Sequence, residues 1–437
     1  MSASAKYTGV PRSTMAVLML SVFTVSMGFG IVLPALPFLI ERLLGTAGDT
    51  TQVSRATGLL TGLYTLSLFL FASAWGRLSD RSGRRTILLV GLLGFSTTSM
   101  TFAFVESLPA MYAERFLSGM FAAAVTPVAL AAVGDLAVTE TARARRLTFV
   151  SIAGISGFLL GPMMGVFVAR IAEFLFPAMA NVGTLAIPLA GIAVLALLVA
   201  IAAVFTVPGK TGSGASLERN VAPAQPGWLV PRLLALAFIV SAGVGVFEVG
   251  LALRAKQELG LSQSQIAVMF TECSLVMLIV QAIVFSPWIR PETTRWLIGP
   301  ALAILAAGLS LVPYASDFTL MLVVTGAVAA SAGILSPILT YWISSKAGKA
   351  QGAQLGHQTA AASLGASVGA AAGGVLFDVA WLPNASFVLV TAVIVLGTIL
   401  SVRLPQMLVA REPADGGEPA IMATNRSIER SRESAGT

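Results

Sequence analysis

Charge is scarce in this sequence: only 11% of its 437 residues are Asp, Glu, Lys or Arg, while 56% are hydrophobic. Soluble domains hold about 25% charged residues. A chain so poor in charge cannot dress a water-facing surface, and lipid must cover most of it. Cysteine and histidine are nearly absent. Cys273 is the single cysteine, which excludes a disulfide framework and a thiolate metal site. His357 is the single histidine, which excludes His-cluster metal chemistry and reads as a helix-end residue rather than a proton shuttle. With no facing Asp/Glu cluster in the polar segments, a polytopic membrane enzyme has no catalytic constellation to use. The net charge of +7 would point to nucleic acid in a soluble protein. Here arginines in the short polar segments explain it, and no nucleic-acid partner is expected.

What is present is apolar length, with a mean hydropathy of +0.87. A spanning helix needs roughly 20 apolar residues. Runs of that length predict spans at 15–40, 54–75, 86–105, 109–136, 147–171 and 184–206. Six more follow at 232–253, 265–286, 296–314, 318–343, 354–377 and 385–404. The first run, preceded by Lys6 and Arg12, is too long for the apolar core of a signal peptide and reads as a span. Residues 208–231, with Pro208, Gly209, Gly212, Gly214, Pro223, Pro226 and Pro231, read as a flexible linker. The expected organisation is a bundle at 1–207, a cytoplasmic linker at 208–231, a second bundle at 232–405 and a polar, disordered tail at 406–437.

The halves look like copies. Val25-Ser-Met-Gly28-Phe-Gly30 aligns with Val240-Ser-Ala-Gly243-Val-Gly245, and the same register brings Leu44-Gly45 onto Leu259-Gly260. Pro127 matches Pro337, and Gly157, Gly161 and Gly165 match Gly365, Gly369 and Gly373. Duplicated halves are how many transporters are built. Basic residues set the orientation. With both termini inside, the inner segments hold 21 Lys or Arg. The outer ones hold five (Arg42, Arg55, Arg170, Arg254, Lys256), and Arg115 lies within a span. A multi-pass protein of the cell (inner) membrane with both termini cytoplasmic follows.

The densest charge lies between spans two and three: Gly76, Arg77, Leu78, Ser79, Asp80, Arg81, Ser82, Gly83, Arg84 and Arg85. It is too polar for lipid, and its glycines read as a loop rather than a helix extension. Asp80 can accept from backbone N–H groups or pair with a basic neighbour, and is the expected pivot. The Gly-x-Leu-small-Asp-Arg-x-Gly-Arg-basic pattern resembles the signature loop of the major facilitator superfamily. That resemblance implies two pseudo-symmetric bundles of six spans, and a loop that locks the halves at the cytoplasmic face. Read without it, the segment is a topogenic charge cluster.

Other motifs point the same way. Gly28-x5-Pro34-x2-Pro37 in the first span is similar to a motif of the twelve-helix drug:proton antiporters; its prolines bend the helix and free carbonyls. Gly157-x3-Gly161-Pro162-x2-Gly165-Val166 in the fifth resembles the antiporter motif, with Val166 in place of its last glycine, and reads equally as close helix packing. Glu114-Arg115-x2-Ser118-Gly119 resembles the family's fourth-helix Arg-x-x-Gln-Gly, with Ser118 for Gln. A membrane arginine must find a partner or water, or snorkel to the interface. Asp135 is expected to anchor the following loop. Glu248 and Glu272 lie at matched depth in spans read as antiparallel neighbours. They can either take up protons or pair statically with Arg115 or Arg254. Phe29, Tyr64, Phe247 and Tyr341 are candidates to line a substrate cavity. Gly209-Lys210-Thr211 lacks the upstream glycine and strand of a phosphate loop.

The expectation is an all-α integral membrane transporter with twelve transmembrane helices, monomeric in the bilayer and without a cofactor or metal. It would export a hydrophobic or amphipathic small molecule against a proton gradient by alternating access. Antiport and export rest on the resemblance. Transport of a polar metabolite is the alternative, and would call for more buried charge; a channel does not fit the duplicated halves and gating loop.

Overall fold

The computed structural model describes residues 11–45, 49–136, 140–175, 186–209, 228–284, 286, 291–346, 351–379, 382, 384–402 and 404–409. Within them the chain is helical throughout. The first span is broken into α1 (Arg12–Val32), a 3₁₀ turn (Leu33–Ala35) and α2 (Leu36–Leu44). Pro34 and Pro37 sit at the starts of the second and third pieces, where the missing N–H does no harm. Then come α3 (Thr50–Ser82), α4 (Arg84–Phe102), α5 (Leu108–Leu136), α6 (Glu140–Leu175) and α7 (Ala186–Thr206). The second half holds α8 (Leu229–Gln257), α9 (Gln263–Val284), α10 (Ile298–Leu311), α11 (Phe318–Lys346), α12 (Gln351–Val375), α13 (Ala385–Ser401) and a short α14 (Leu404–Val409). Most of the expected linker, and the tail beyond residue 409, lie outside the described residues.

Among the described residues, ten helices are long and apolar enough to cross a membrane, and Ala385–Ile399 adds a shorter apolar one. The remaining rod, α12, is 25 residues of mainly Ala, Gly, Ser and Gln. Its small residues are explained by its neighbours, since helices on two sides approach it at backbone distance.

The largest departure from expectation falls on residues 76–85. These do not form a loop: α3 continues helical to Ser82, and the reversal is made by Gly83 alone, at φ +91°. Asp80 and Arg84 bracket that turn, and their ion pair (2.6 Å) supports the helical path across the segment. Within this segment the backbone requires glycine only at Gly83, where φ is positive. Gly76 sits in open space inside the helix.

Packing reproduces the duplication helix by helix. In the first half α1 packs on α6 and α7, α3 on α5, and α4 on α5 and α7. In the second, α8 packs on α12 and α13, α9 on α11, and α10 on α11 and α13. The expectation that spans seven and eight are close neighbours is corrected. α8 and α9 barely touch, because α9 turns instead to α11 and to α6 of the other half. The glycine motifs carry the symmetry to single residues. A Cβ on Gly161 would lie 2.7 Å from Met27 O, and one on Gly165 would lie 3.2 Å from Ile31. Gly157 abuts Phe23 O. In the second half Gly365, Gly369 and Gly373 abut Phe238, Ala242 and Val246, the residues aligned with Phe23, Met27 and Ile31.

These crossings leave no room for a side chain. Gly161→Val and Gly369→Val are expected to destabilise the protein by about 1–3 kcal/mol each, read as lower melting temperatures in detergent. Gly191 and Gly299 face open space. Replacing either with Ala should leave the melting temperature unchanged or raise it, by up to about 1 kcal/mol of helix propensity.

Candidate functional site

The halves meet along α3–α12 and α6–α9. Between them, near the middle of the helices, lies a cavity of about 330 Å³. Phe29 of α1 and Phe158 of α6 wall it on one side; Phe247 of α8, Phe270 and Met277 of α9 face them. Phe29 is held flat between Tyr64 (centroids 5.0 Å apart, planes 17°) and Phe158 (5.8 Å, 24°). Stacked rings with few rotatable bonds make a rigid wall. Of the predicted aromatics, Phe29 and Phe247 line the cavity, and Tyr64 backs it. Tyr341 does not: it stands at the far end of α11, packed edge-on against Trp342 at 5.4 Å. Phe158 and Phe270 complete the lining and were missed, since nothing in an apolar helix marks which phenylalanine faces its interior.

Glu248 is the one carboxylate in the lining, among apolar side chains and the small polar groups of Cys273 and Ser274. α8 runs to Gln257 and α9 starts at Gln263. Glu248 and Glu272 are thus each nine residues inside those ends, about 14 Å along the axis. Glu272 does not line the cavity; its Oε1 faces Gly326 of α11, where a Cβ would come within 2.9 Å. Its Oε2 is buried without a partner.

Static pairing of these acids with Arg115 or Arg254 does not occur. Arg115 is buried at 4% exposure and holds the adjacent Glu114 in a forked pair, Nε to Oε2 at 2.7 Å and Nη2 to Oε1 at 3.0 Å. Its guanidinium lies 4.3 Å from the Phe102 ring centroid and 5.5 Å from that of Tyr64. It therefore neither snorkels nor reaches water. Ser118 Oγ, in the position of the family's glutamine, is buried with no partner. Arg254 pairs with Glu258 and donates to Ala315 O at 3.2 Å. Among the described residues, Glu248 and Glu272 have no ion pair.

At the 76–85 end Arg84, rather than Asp80, is the centre. It pairs with Asp80 (2.6 Å) and with Asp135 of α5 (2.9 Å), and donates to Ser79 Oγ (2.6 Å). All three partners belong to the first bundle. Asp135 thus holds the α3–α4 turn rather than the segment after α5, whose residues 137–139 lie outside the described residues. Arg81 is exposed in the last turn of α3. Arg85 comes close to Gly209, and the carbonyl of Gly209 lies over Gly83. Gly28 accommodates Phe95 and Ile192, and Pro162 inside α6 touches Gly30.

Among the described residues, the polar ties between halves sit at the opposite end. Lys256 of α8 pairs with Glu41 of α2, donates to Pro37 O at 2.8 Å and lies 4.7 Å from the Phe38 ring centroid. Ser54 of α3 bonds to Asp378 Oδ2 (2.8 Å) beyond α12 and to Gln257 (3.2 Å). Below them α3 and α12 touch through small residues. A Cβ on Gly58 would lie 2.6 Å from Gly374 Cα, and Ser367 donates to Gly62 O at 2.8 Å. These ties were not foreseen, although Glu41 and Lys256 were legible as opposite charges at span ends on one side.

Two six-helix bundles around a mid-depth cavity, tied together at one end, define a membrane transporter. The Major Facilitator Superfamily model matches residues 18–289 and 233–432. The chain belongs to that superfamily. Among its relatives are Multidrug resistance protein 1 of Bacillus subtilis, 27% identical over 400 residues and covering 89% of this chain and 95% of that one. Another is Quinolone resistance protein NorA of Staphylococcus aureus, 25% identical over 369 residues (83% and 89%). The fold is shared with the D-xylose-proton symporter (TM-score 0.72, 16% identity, 90% and 97% covered) and the human organic anion transporter MFSD10 (0.64, 20%, 89% and 99%).

Removing one member of a buried ion pair strands the other charge, at about 3–5 kcal/mol. Arg115→Ala should therefore lower stability far more than the Glu114→Ala, Arg115→Ala double variant, measured as melting temperature or expression in membranes.

Proposed function

We propose that this protein is a proton-coupled exporter of hydrophobic or amphipathic small molecules, with positively charged ones favoured. Glu248 carries the case: it is an unpaired acid in an otherwise apolar, aromatic-walled cavity between the two bundles. A carboxylate there needs a counter-charge, either a proton or a cationic substrate. The faces of the aromatic rings attract cations as well. Mutual exclusion of proton and cargo at one carboxylate couples their opposite movements. Transport of a polar metabolite would call for several polar groups in the lining, which this cavity lacks. The names of the bacterial relatives, multidrug and quinolone resistance proteins, support the same class of cargo and the same direction.

Alternating access follows from where the halves are tied. With the 76–85 end cytoplasmic, as the basic residues argue, the Lys256 and Ser54 ties close the outside and the protein faces inward. Exposed ion pairs contribute about 0–1 kcal/mol each, and partner exchange between states needs only a few kcal/mol. A latch of such contacts is weak enough to open in every cycle. Both termini are cytoplasmic in this orientation, the membrane is the cell membrane, and the proton gradient is the driving force. Arg84, with its partners inside one bundle, holds the α3–α4 turn ready for the state in which the inner end closes.

Everted vesicles test the coupling. Wild-type protein should accumulate a fluorescent hydrophobic cation when the pH gradient is imposed, and Glu248→Gln should abolish that accumulation. Unchanged accumulation in the variant would contradict the reading. The latch is tested in a Cys273→Ser background carrying Thr57→Cys, a fully buried position one turn along α3 from the tie at Ser54. Lys256→Met should raise labelling by an impermeant maleimide from outside severalfold; an unchanged rate would show that the latch does not hold the outer end.

A further inference from the structure

The two acids of the second bundle stand in different places, and their difference bears on charge movement. Glu248 meets the cargo cavity. Glu272 sits beside it, turned toward α11, with its carboxylate against the bare Gly326 backbone. Glu272 Oε2 is buried without a partner, as are the hydroxyls of Thr271 and Thr325, the residues next to Glu272 on α9 and next to Gly326 on α11. Buried polar atoms are normally satisfied. A hydroxyl can serve an acid in either protonation state, as donor to a carboxylate or acceptor from a carboxylic acid. Among the described residues, no ion pair reaches Glu272 from the elements packed on α9. Arg145, Arg146, Arg170 and Glu173 of α6 do not pair with it, and Arg254 and Lys256 of α8 pair with Glu258 and Glu41 instead. The 3₁₀ turn at Leu33–Ala35 has no ionisable side chain, and on α9 itself the adjacent ionisable group is Cys273.

Building on the proton-coupled export proposed above, we infer that Glu272 carries a second proton in each cycle, independent of the cargo bound at Glu248. One monovalent cation then leaves as two protons enter, one released from each carboxyl group to the inside. Each cycle moves one net positive charge inward. The membrane potential becomes a driving force alongside the pH gradient. Gly326 is the positioning residue, because any side chain there would displace the Glu272 carboxyl.

The test is transport of a monovalent hydrophobic cation in proteoliposomes with no pH gradient and a potassium-diffusion potential of about 100 mV. One net charge at that potential sustains a concentration ratio of up to about fiftyfold, whereas one-for-one exchange sustains none. Wild-type protein should concentrate the cation under potential alone. Glu272→Gln should lose that response, keep pH-gradient-driven exchange, and bind the cation within about twofold of wild type by fluorescence titration in detergent. Glu272→Asp should retain the potential response, and Glu248→Gln should lose binding itself. The inference is overturned if wild-type protein responds to pH but ignores potential, if Glu272→Gln still responds to potential, or if it loses binding as Glu248→Gln does. Wild-type protein that moves no cation under a pH gradient contradicts the export reading, and this inference with it.

Discussion

Helices in lipid gain no hydrophobic energy from touching one another, since lipid tails are as apolar as leucine. What holds them is contact area, and contact area depends on how closely backbones approach. In this protein the approach is set by glycine. Gly157, Gly161 and Gly165 bring α6 onto α1, their counterparts bring α12 onto α8, and Gly58 with Gly374 brings the bundles together. α12 is pressed from two sides, with Gly365, Gly369 and Gly373 toward α8 and Ser367, Ala370 and Gly374 toward α3. Its low hydropathy is the consequence of that position.

The same constraint explains the contrast within and between bundles. Inside each bundle, glycine crossings are long and leave no alternative packing. Between bundles, α3 and α12 also cross closely at Gly58 and Gly374, but the joint is supplemented by Lys256, Glu41, Ser54 and Asp378. These are polar contacts near the ends of helices, where water can replace a lost partner. Rigid halves with a weaker, wetter joint are what rocking between two states requires. The glycine motif of α6 thus has a packing role that α12 shares, so its likeness to an antiporter motif carries less functional information than the cavity acid does.

Much of the architecture was legible because a span must be long and apolar, and because the two halves repeat. Twelve helices and the Val25–Val240 register came directly from those patterns. Residues 76–85 misled because local glycine and charge were weighed against the helix, while the Asp80–Arg84 pair and the single positive φ at Gly83 were invisible in one dimension. Arg115 was foreseen as buried or snorkelling, yet its partner was the neighbouring Glu114, a pairing that geometry decides. Glu248 and Glu272 were found by their rarity in apolar runs. That one faces the cavity and the other Gly326 depends on helix rotation, and their shared depth says nothing of it.

The central claim is that two rigid bundles pivot about the α3–α12 seam, closed at the Glu41–Lys256 end. Electron–electron double resonance on two label pairs tests it most directly. One pair, at Gln52 and Leu382, spans the tied end; the other, at Arg77 and Ser345, spans the end carrying Gly83. Changing pH across the neutral range with and without a hydrophobic cation should lengthen one distance as the other shortens. Two distances that stay fixed, or that change in the same sense, would contradict the account.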